Sequence, residues 1–262
     1  MPSKLSKLID RHLNYYKRSE KKDFDKARRF YRGNFFTSSD SDISGMSSHS
    51  YLCSKNIIYA IADTAVSALL GPNPSVGAIA RTPKSQDAAP SVTGLVEYVF
   101  DANNFRRKAA TTLIDAVLCK RGIFKTGWDA KKDIPIVRAI NPSSIFFDLT
   151  VRDADDIRYW IEATVISYDE FKIRVKSGQY KAELVKEVTP DRYPKWLLDE
   201  NQKSTTDTVR DAFQWVTIYE YYDRERGIMQ HYIKQADAVV FEDKIDYIPY
   251  RMYSLNQSGI DC

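Results

Sequence analysis

The chain has 262 residues, enough for one large or two modest hydrophobic cores. A content of 43% hydrophobic and 28% charged residues excludes a disordered chain, and no uninterrupted apolar run approaches the roughly 18 residues that a membrane span needs. The net charge of +4 is unevenly spread: residues 1–33 hold 11 Lys/Arg against 4 Asp/Glu, leaving 28 against 31 in the remainder, so a basic N-terminal arm sits on a mildly acidic body.

The opening residues lack the apolar stretch of a signal peptide. Cys53, Cys119 and Cys262 are odd in number and form no CxxC pair, which reads as free thiols in a reducing compartment. In "LSKLIDRHLNYY", Leu5, Leu8, Ile9, Leu13 and Tyr16 fall on one helical stripe opposite Lys and Arg. "DFDKARRFYRG" continues the pattern through Phe24, Ala27 and Phe30 and stops at Gly33. The Ser/Asp/Gly stretch that follows reads as a loop. "SKNIIYAIADTAVSALLGPNP" predicts a helix capped by Ser54, with a wide apolar face of Ile57, Ile58, Ile61, Ala62, Ala65, Val66, Leu69 and Leu70, ended by Gly71, Pro72 and Pro74. "SVGAIAR" reads as a short strand. Further helices are predicted from about Ser91 to Asn103 and from about Phe105 to Arg121, the latter stopped by Gly122.

The second half is strand-rich. "IFKTGWD" and "IPIVRAI" alternate apolar and polar positions about "DAKKD" and predict a hairpin. "NPSS" turns the chain into the strand "IFFD". "DIRYWIEATVIS" alternates Ile157, Tyr159, Ile161 and Ala163. Ser167 followed by Glu170 forms a capping-box pattern for a helix from Tyr168, stopped by Gly178. "FQWVTIYEYYDRERGIMQHYIKQ" predicts a long hairpin turning at "DRERG", and "ADAVVFEDKIDYIPY" supplies another strand and an exit. The order predicts an α+β fold: N-terminal helices followed by antiparallel strands and hairpins with short helices. Along the chain this divides into a basic helical arm (1–36), a Ser/Asp-rich loop (37–54), an α+β body (55–198), a polar loop (199–212) and a hairpin region (213–262).

Chemical signatures are sparse. No GxxxxGK[ST], GxGxxG, HExxH or GxSxG occurs. His12, His49 and His231 have no partners at metal-ligand spacing and read as solvated or partly packed. Cys119 lies beside Val117 and Leu118 on a helix with no base nearby, as a buried small thiol would. Asp129, Asp133, Asp148, Asp153, Asp155 and Asp156 could serve a metal-dependent nuclease if they converged on divalent ions, but Asp in turns and before strands also bonds its local backbone. The arm is the remaining candidate. Lys17, Arg18, Lys21, Lys22, Lys26, Arg28, Arg29 and Arg32 surround Tyr15, Tyr16, Phe30 and Tyr31. They could meet DNA phosphates with aromatic support, or be a solvated face paired with acidic groups of the same or a neighbouring chain.

The series "FDKARRFYRGNFF", "NIIYAIADTAVSALLGPNPSVGAIAR", "TLIDAVLCKRGIFKTGWDA", "VRAINPSSIFFDLTVRDADDIRYWIEATVIS" and "SYDEF" resembles the N-terminal wing portion of tailed bacteriophage portal proteins, the head-to-tail connectors. The likeness covers most of residues 24–175 and, more loosely, the hairpin from Phe213 to Tyr250. It implies a structural, wing-like body with no catalytic residue, cofactor or metal to transfer. The protein would be no enzyme but a homo-oligomeric ring, usually a dodecamer, at the capsid vertex of the virion, assembled in the host cytoplasm and bound to no membrane. Double-stranded DNA would pass its channel in packaging and ejection. Terminase, the major capsid protein and tail adaptor proteins would be its partners. In such proteins the wing leads on to a stem; here "RMYSLNQSGIDC" falls about where the first stem helix is expected. A metal-dependent nuclease, or a nucleic-acid-binding module using the basic arm, are the alternatives.

Overall fold

The computed structural model describes residues 3–35, 55–71, 76–130, 132–151, 154–186, 188–198 and 213–253. The expected loops at 37–54 and 199–212 lie outside them. The chain is α+β and divides into two compact units. The first joins the N-terminal helices through Arg29 to Asn141–Ile248; the second joins Phe30–Ile140 to the segment from Pro249.

In the first unit the arm begins with α1 (Lys4–Tyr15), passes through one π turn (Tyr16–Glu20), and continues as α2 (Lys21–Tyr31). The Ser3 hydroxyl accepts from the Ser6 amide and caps α1, satisfying an otherwise orphaned donor. Ile9, Leu13 and Tyr16 of the expected stripe are buried, as is Phe24. The sheet is five-stranded and antiparallel, in the order β3-β4-β5-β6-β7, from β3 (Ile145–Phe147), β4 (Tyr159–Ser167), β5 (Trp215–Asp223), β6 (Ile228–Ile233) and β7 (Ala238–Lys244). One face gathers Ile166, Val216, Ile218, Ile233 and Val240 against Phe171 of helix Tyr168–Lys176. That helix starts on the expected cap, with the Ser167 hydroxyl accepting from the Glu170 amide, and Gly178 follows it at φ +77°. The other face receives the arm: Tyr159 meets His12, and Phe146 meets Tyr16. Covered on both sides, β4 does not alternate as the sequence suggests. Trp160, Ile161, Glu162 and Ala163 are buried in succession.

In the second unit Asn56 caps α3 (Ile57–Leu70) by accepting from the Tyr59 amide; Ser54, Pro72 and Pro74 lie outside the described residues. α4 (Ala89–Ala102) and α5 (Phe105–Cys119) follow. The expected strand at "SVGAIAR" is not formed at residues 76–80, which pair with no strand among the described residues; instead the Ala78 amide donates to Thr93 Oγ1 of α4. The expected hairpin is β1 (Gly122–Asp129) with β2 (Ile134–Ile140), and a third strand, Tyr250–Tyr253, pairs with the outer side of β1. Pro135 is tolerated because β2 is an edge strand. Gly122 is not the stop of α5. Lys120 turns the helix off at φ +63°, and Gly122 opens β1 where a Cβ would lie 2.3 Å from the Thr112 carbonyl oxygen.

Asn103 ties this unit together. Its amide nitrogen donates to the Val99 and Pro135 carbonyls, both at 2.9 Å, while its oxygen accepts from the Val137 amide at 2.9 Å and from Lys108 Nζ at 3.2 Å. One buried side chain thus joins α4, α5 and β2 with its full hydrogen-bonding capacity in use.

Candidate functional site

The eight cations of the arm divide by burial. Arg28 is buried, and its guanidinium donates to Ser143 Oγ at 3.1 Å and Asn141 Oδ1 at 2.9 Å, holding the Asn-Pro turn that leads into β3. Lys21 donates to the Leu198 carbonyl at 2.8 Å and pairs with buried Asp25 at 3.0 Å. Both stabilise the first unit. Arg29 is half-buried, and Arg32 follows α2 in the second unit, exposed. Lys17, Arg18, Lys22 and Lys26 are exposed; Arg18, Lys22 and Lys26 recur every fourth residue as one stripe. Such a stripe presents positive charge to an anionic partner at a range set by salt, about 10 Å at moderate ionic strength.

The arm is pinned along its length. Asp237 accepts from the Ser3 amide at 3.0 Å, and Lys234 pairs with Asp10. Tyr16 meets Phe24, Phe146 and Trp196 edge-on, with ring centres 6.0–6.3 Å apart. His12 is buried with Nε2 2.8 Å from the Tyr159 hydroxyl; burial holds its pKa below the ordinary value, against the opposing pull of Asp148 and Glu20. His231 is also buried, its ring against Tyr180 and Phe241, whereas His49 lies outside the described residues.

The carboxylates are engaged locally. Asp148, just after β3, accepts from the Thr150 amide at 3.0 Å, the Thr150 hydroxyl at 2.6 Å and Arg158 Nε at 2.6 Å. Burial pushes its carboxyl up, but these bonds outweigh that and hold it below the usual carboxylate range. Asp129 accepts from the Lys132 amide in the β1–β2 turn, where Asp133 takes φ +55°. Asp155 sits in a 3₁₀ turn, and its backbone carbonyl accepts from Arg224. Asp153 lies outside the described residues. Among the described residues no three His, Cys, Asp or Glu side chains converge as a metal site. Cys119 is buried in α5; Cys53 and Cys262 are not described.

Residue patterning misplaced one surface. Of the wide apolar face expected on α3, only Ala62 and Val66 are buried; Ile57, Ile61 and Leu69 are open.

The ordered series of helices, hairpin, Asn-Pro turn and antiparallel sheet carries the elements on which the resemblance to phage portal proteins rests, and a family model supports that resemblance. The model described as phage P22-like portal protein matches residues 8–259. The chain belongs to that family. No curated protein matches the chain significantly.

Proposed function

We propose that the chain is a structural subunit of a ring at a phage capsid vertex, forming the conduit through which DNA is packaged and ejected and the mount for the tail. The observation that carries this reading is the family match, which spans nearly the whole chain. The local engagement of Asp148 and Asp129 supports a structural use of these carboxylates. The subunit would act by shape and contact, without turnover, with a terminase, the major capsid protein and tail adaptors as successive neighbours. Its ring would be dodecameric. Electron microscopy of the purified protein, alone and with other head proteins, should show closed rings with a central hole; a strictly monomeric species at micromolar concentration in both samples would refute it.

The exposed stripe of Arg18, Lys22 and Lys26, with exposed Lys17 beside it, supports a role in contacting an acidic neighbour within the assembly. The same stripe favours a second reading, contact with DNA phosphates. Charge reversal at Lys22 and Lys26 separates the two. Loss of a steeply salt-dependent DNA affinity would establish the phosphate contact; an unchanged DNA affinity with impaired assembly would establish the protein contact.

A further inference from the structure

Within the first unit, α1 rests on the sheet through few polar contacts, and one of them changes character in mild acid. The His12 ring is buried against β3 and β4. Its Nε2 lies 2.8 Å from the Tyr159 hydroxyl, Phe146 stacks beside it with ring centres 6.1 Å apart, and Tyr159 meets it edge-on at 5.7 Å. Neutral imidazole shares one proton with that hydroxyl. Imidazolium would bring a full charge into the same aromatic seat, where water no longer offsets it. The charged groups about the seat are Asp148 after β3, Glu20 in the π turn, Arg158 beside Tyr159, and Asp223 of β5, which accepts from Tyr221 next to Tyr159. Burial disfavours the charged ring and outweighs the pull of Asp148 and Glu20. Asp148 is moreover engaged already, by Arg158 Nε and the Thr150 hydroxyl, each at 2.6 Å.

We propose that protonation of His12 is a release: α1 swings off the sheet about the π turn while α2 and the sheet stay folded. Three features localise the motion. The hinge is the first. At the π turn the Lys21 amide reaches back five residues to the Tyr16 carbonyl, so the ordinary four-residue ladder is interrupted there, and helices bend at such interruptions. The anchors of α2 are the second. Arg28 holds Asn141 and Ser143, Lys21 holds the Leu198 carbonyl, and Tyr16 at the hinge is packed among Phe24, Phe146 and Trp196. The far face of the sheet is the third. Phe171, Val216, Ile218, Ile233 and Val240 form a core that holds no residue of α1, so α1 can leave without opening it. The remaining polar ties of α1, Ser3 to Asp237 and Asp10 to Lys234, rest on carboxylates, which ordinarily titrate near pH 4. Asp237, hydrogen-bonded by Tyr232 and Ser3, titrates below even that range. His12 is therefore the latch between pH 7 and 5. Buried Ile9 and Leu13 keep the closed form dominant at neutral pH. Once open, a helix of 12 residues, about 18 Å long, carries Lys4, Lys7 and Arg11 off the body of the unit.

The test is hydrogen exchange of the full chain at pH 7.5 and 5.5, read peptide by peptide and corrected for the intrinsic pH dependence of exchange. A ring that titrates near 6.5 when α1 is open and lower when it is closed raises the opening equilibrium by at most about tenfold over this interval. A threefold to tenfold rise is expected in α1, with α2, β5 and β6 unchanged. His12→Gln, whose amide can still bond the Tyr159 hydroxyl, should abolish the rise. The same rise in His12→Gln would overturn the proposal, and so would β5 and β6 loosening in step with α1, which is unfolding of the whole unit. If His12→Gln fails to fold, the native chain decides: the midpoint of the His12 ring titration, followed by NMR, must coincide with the onset of α1 opening, and separate midpoints would refute the latch.

Discussion

Tyr15 and Tyr16 are neighbours in sequence with opposite fates, and replacing each by alanine tests how the arm is held. Tyr15 is 45% exposed; Tyr16 is 1% exposed and sits among Phe24, Phe146 and Trp196. Removing a fully buried aromatic ring forfeits its transfer free energy and leaves a cavity between the arm and the sheet, a cost of about 4 kcal/mol. Set against a typical total of about 5–15 kcal/mol, that is a large fraction, and it corresponds to a fall in melting temperature of roughly 8–16 °C for a chain of this size. Tyr15→Ala should cost below about 1 kcal/mol. Urea unfolding followed by tryptophan fluorescence is the assay, since Trp160, Trp196 and Trp215 all lie in the first unit. Equal midpoints for the two variants, or a Tyr16→Ala loss under about 1 kcal/mol, would refute the claim that the arm is an integral layer of that unit.

Three other outcomes follow from the same geometry. His12 has its pKa lowered by burial, so the unfolded chain binds the proton more readily. Its contribution is fully present above about pH 6.5 and is lost as pH falls from there through the depressed native value, so urea midpoints at pH 7.5 and 5.0 should diverge less in His12→Gln than in the native chain. Asp148 has a lowered carboxyl pKa, so its contribution is present above about pH 3.9 and lost as pH falls below it; Asp148→Asn should be less stable at pH 7 and show a smaller further drop in melting temperature between pH 5 and pH 3. Asn103→Asp keeps the shape but turns the amide nitrogen that donates to Val99 and Pro135 into an acceptor. A loss of about 3 kcal/mol in thermal or urea unfolding is expected, and a loss below about 1 kcal/mol would show that the link is dispensable.

Much of the fold could be read locally. The Ser167 cap, the "DRERG" turn and the alternation either side of "DAKKD" are signals confined to a few residues, and the elements they announce formed. Contacts between distant segments were not legible. Nothing local shows that Tyr250–Tyr253 would pair with β1, that the arm would cover the second face of β4, or that residues 76–80 would pair with no strand among the described residues. The candidate site was legible as a list of cations but not as a surface. Arg28 and Lys21 look like their exposed neighbours in sequence, and only the approach of Ser143 and Leu198 removes them from the stripe. The open face of α3 was hidden for a related reason, since apolar patterning marks what must be covered without naming what covers it.

The π turn at Tyr16–Glu20 holds one surplus residue in a rod that otherwise keeps ordinary pitch. It lets Tyr16 and Phe24 point inward on either side of the irregularity. Deleting exposed Ser19 should therefore iron the helix straight with both ends still in phase, whereas deleting Ala27 should swing every later side chain by about 100° and carry Arg28 off its seat. A comparison of the two deletions by melting temperature would show the arm tolerating a shorter chain at one place and failing at the other.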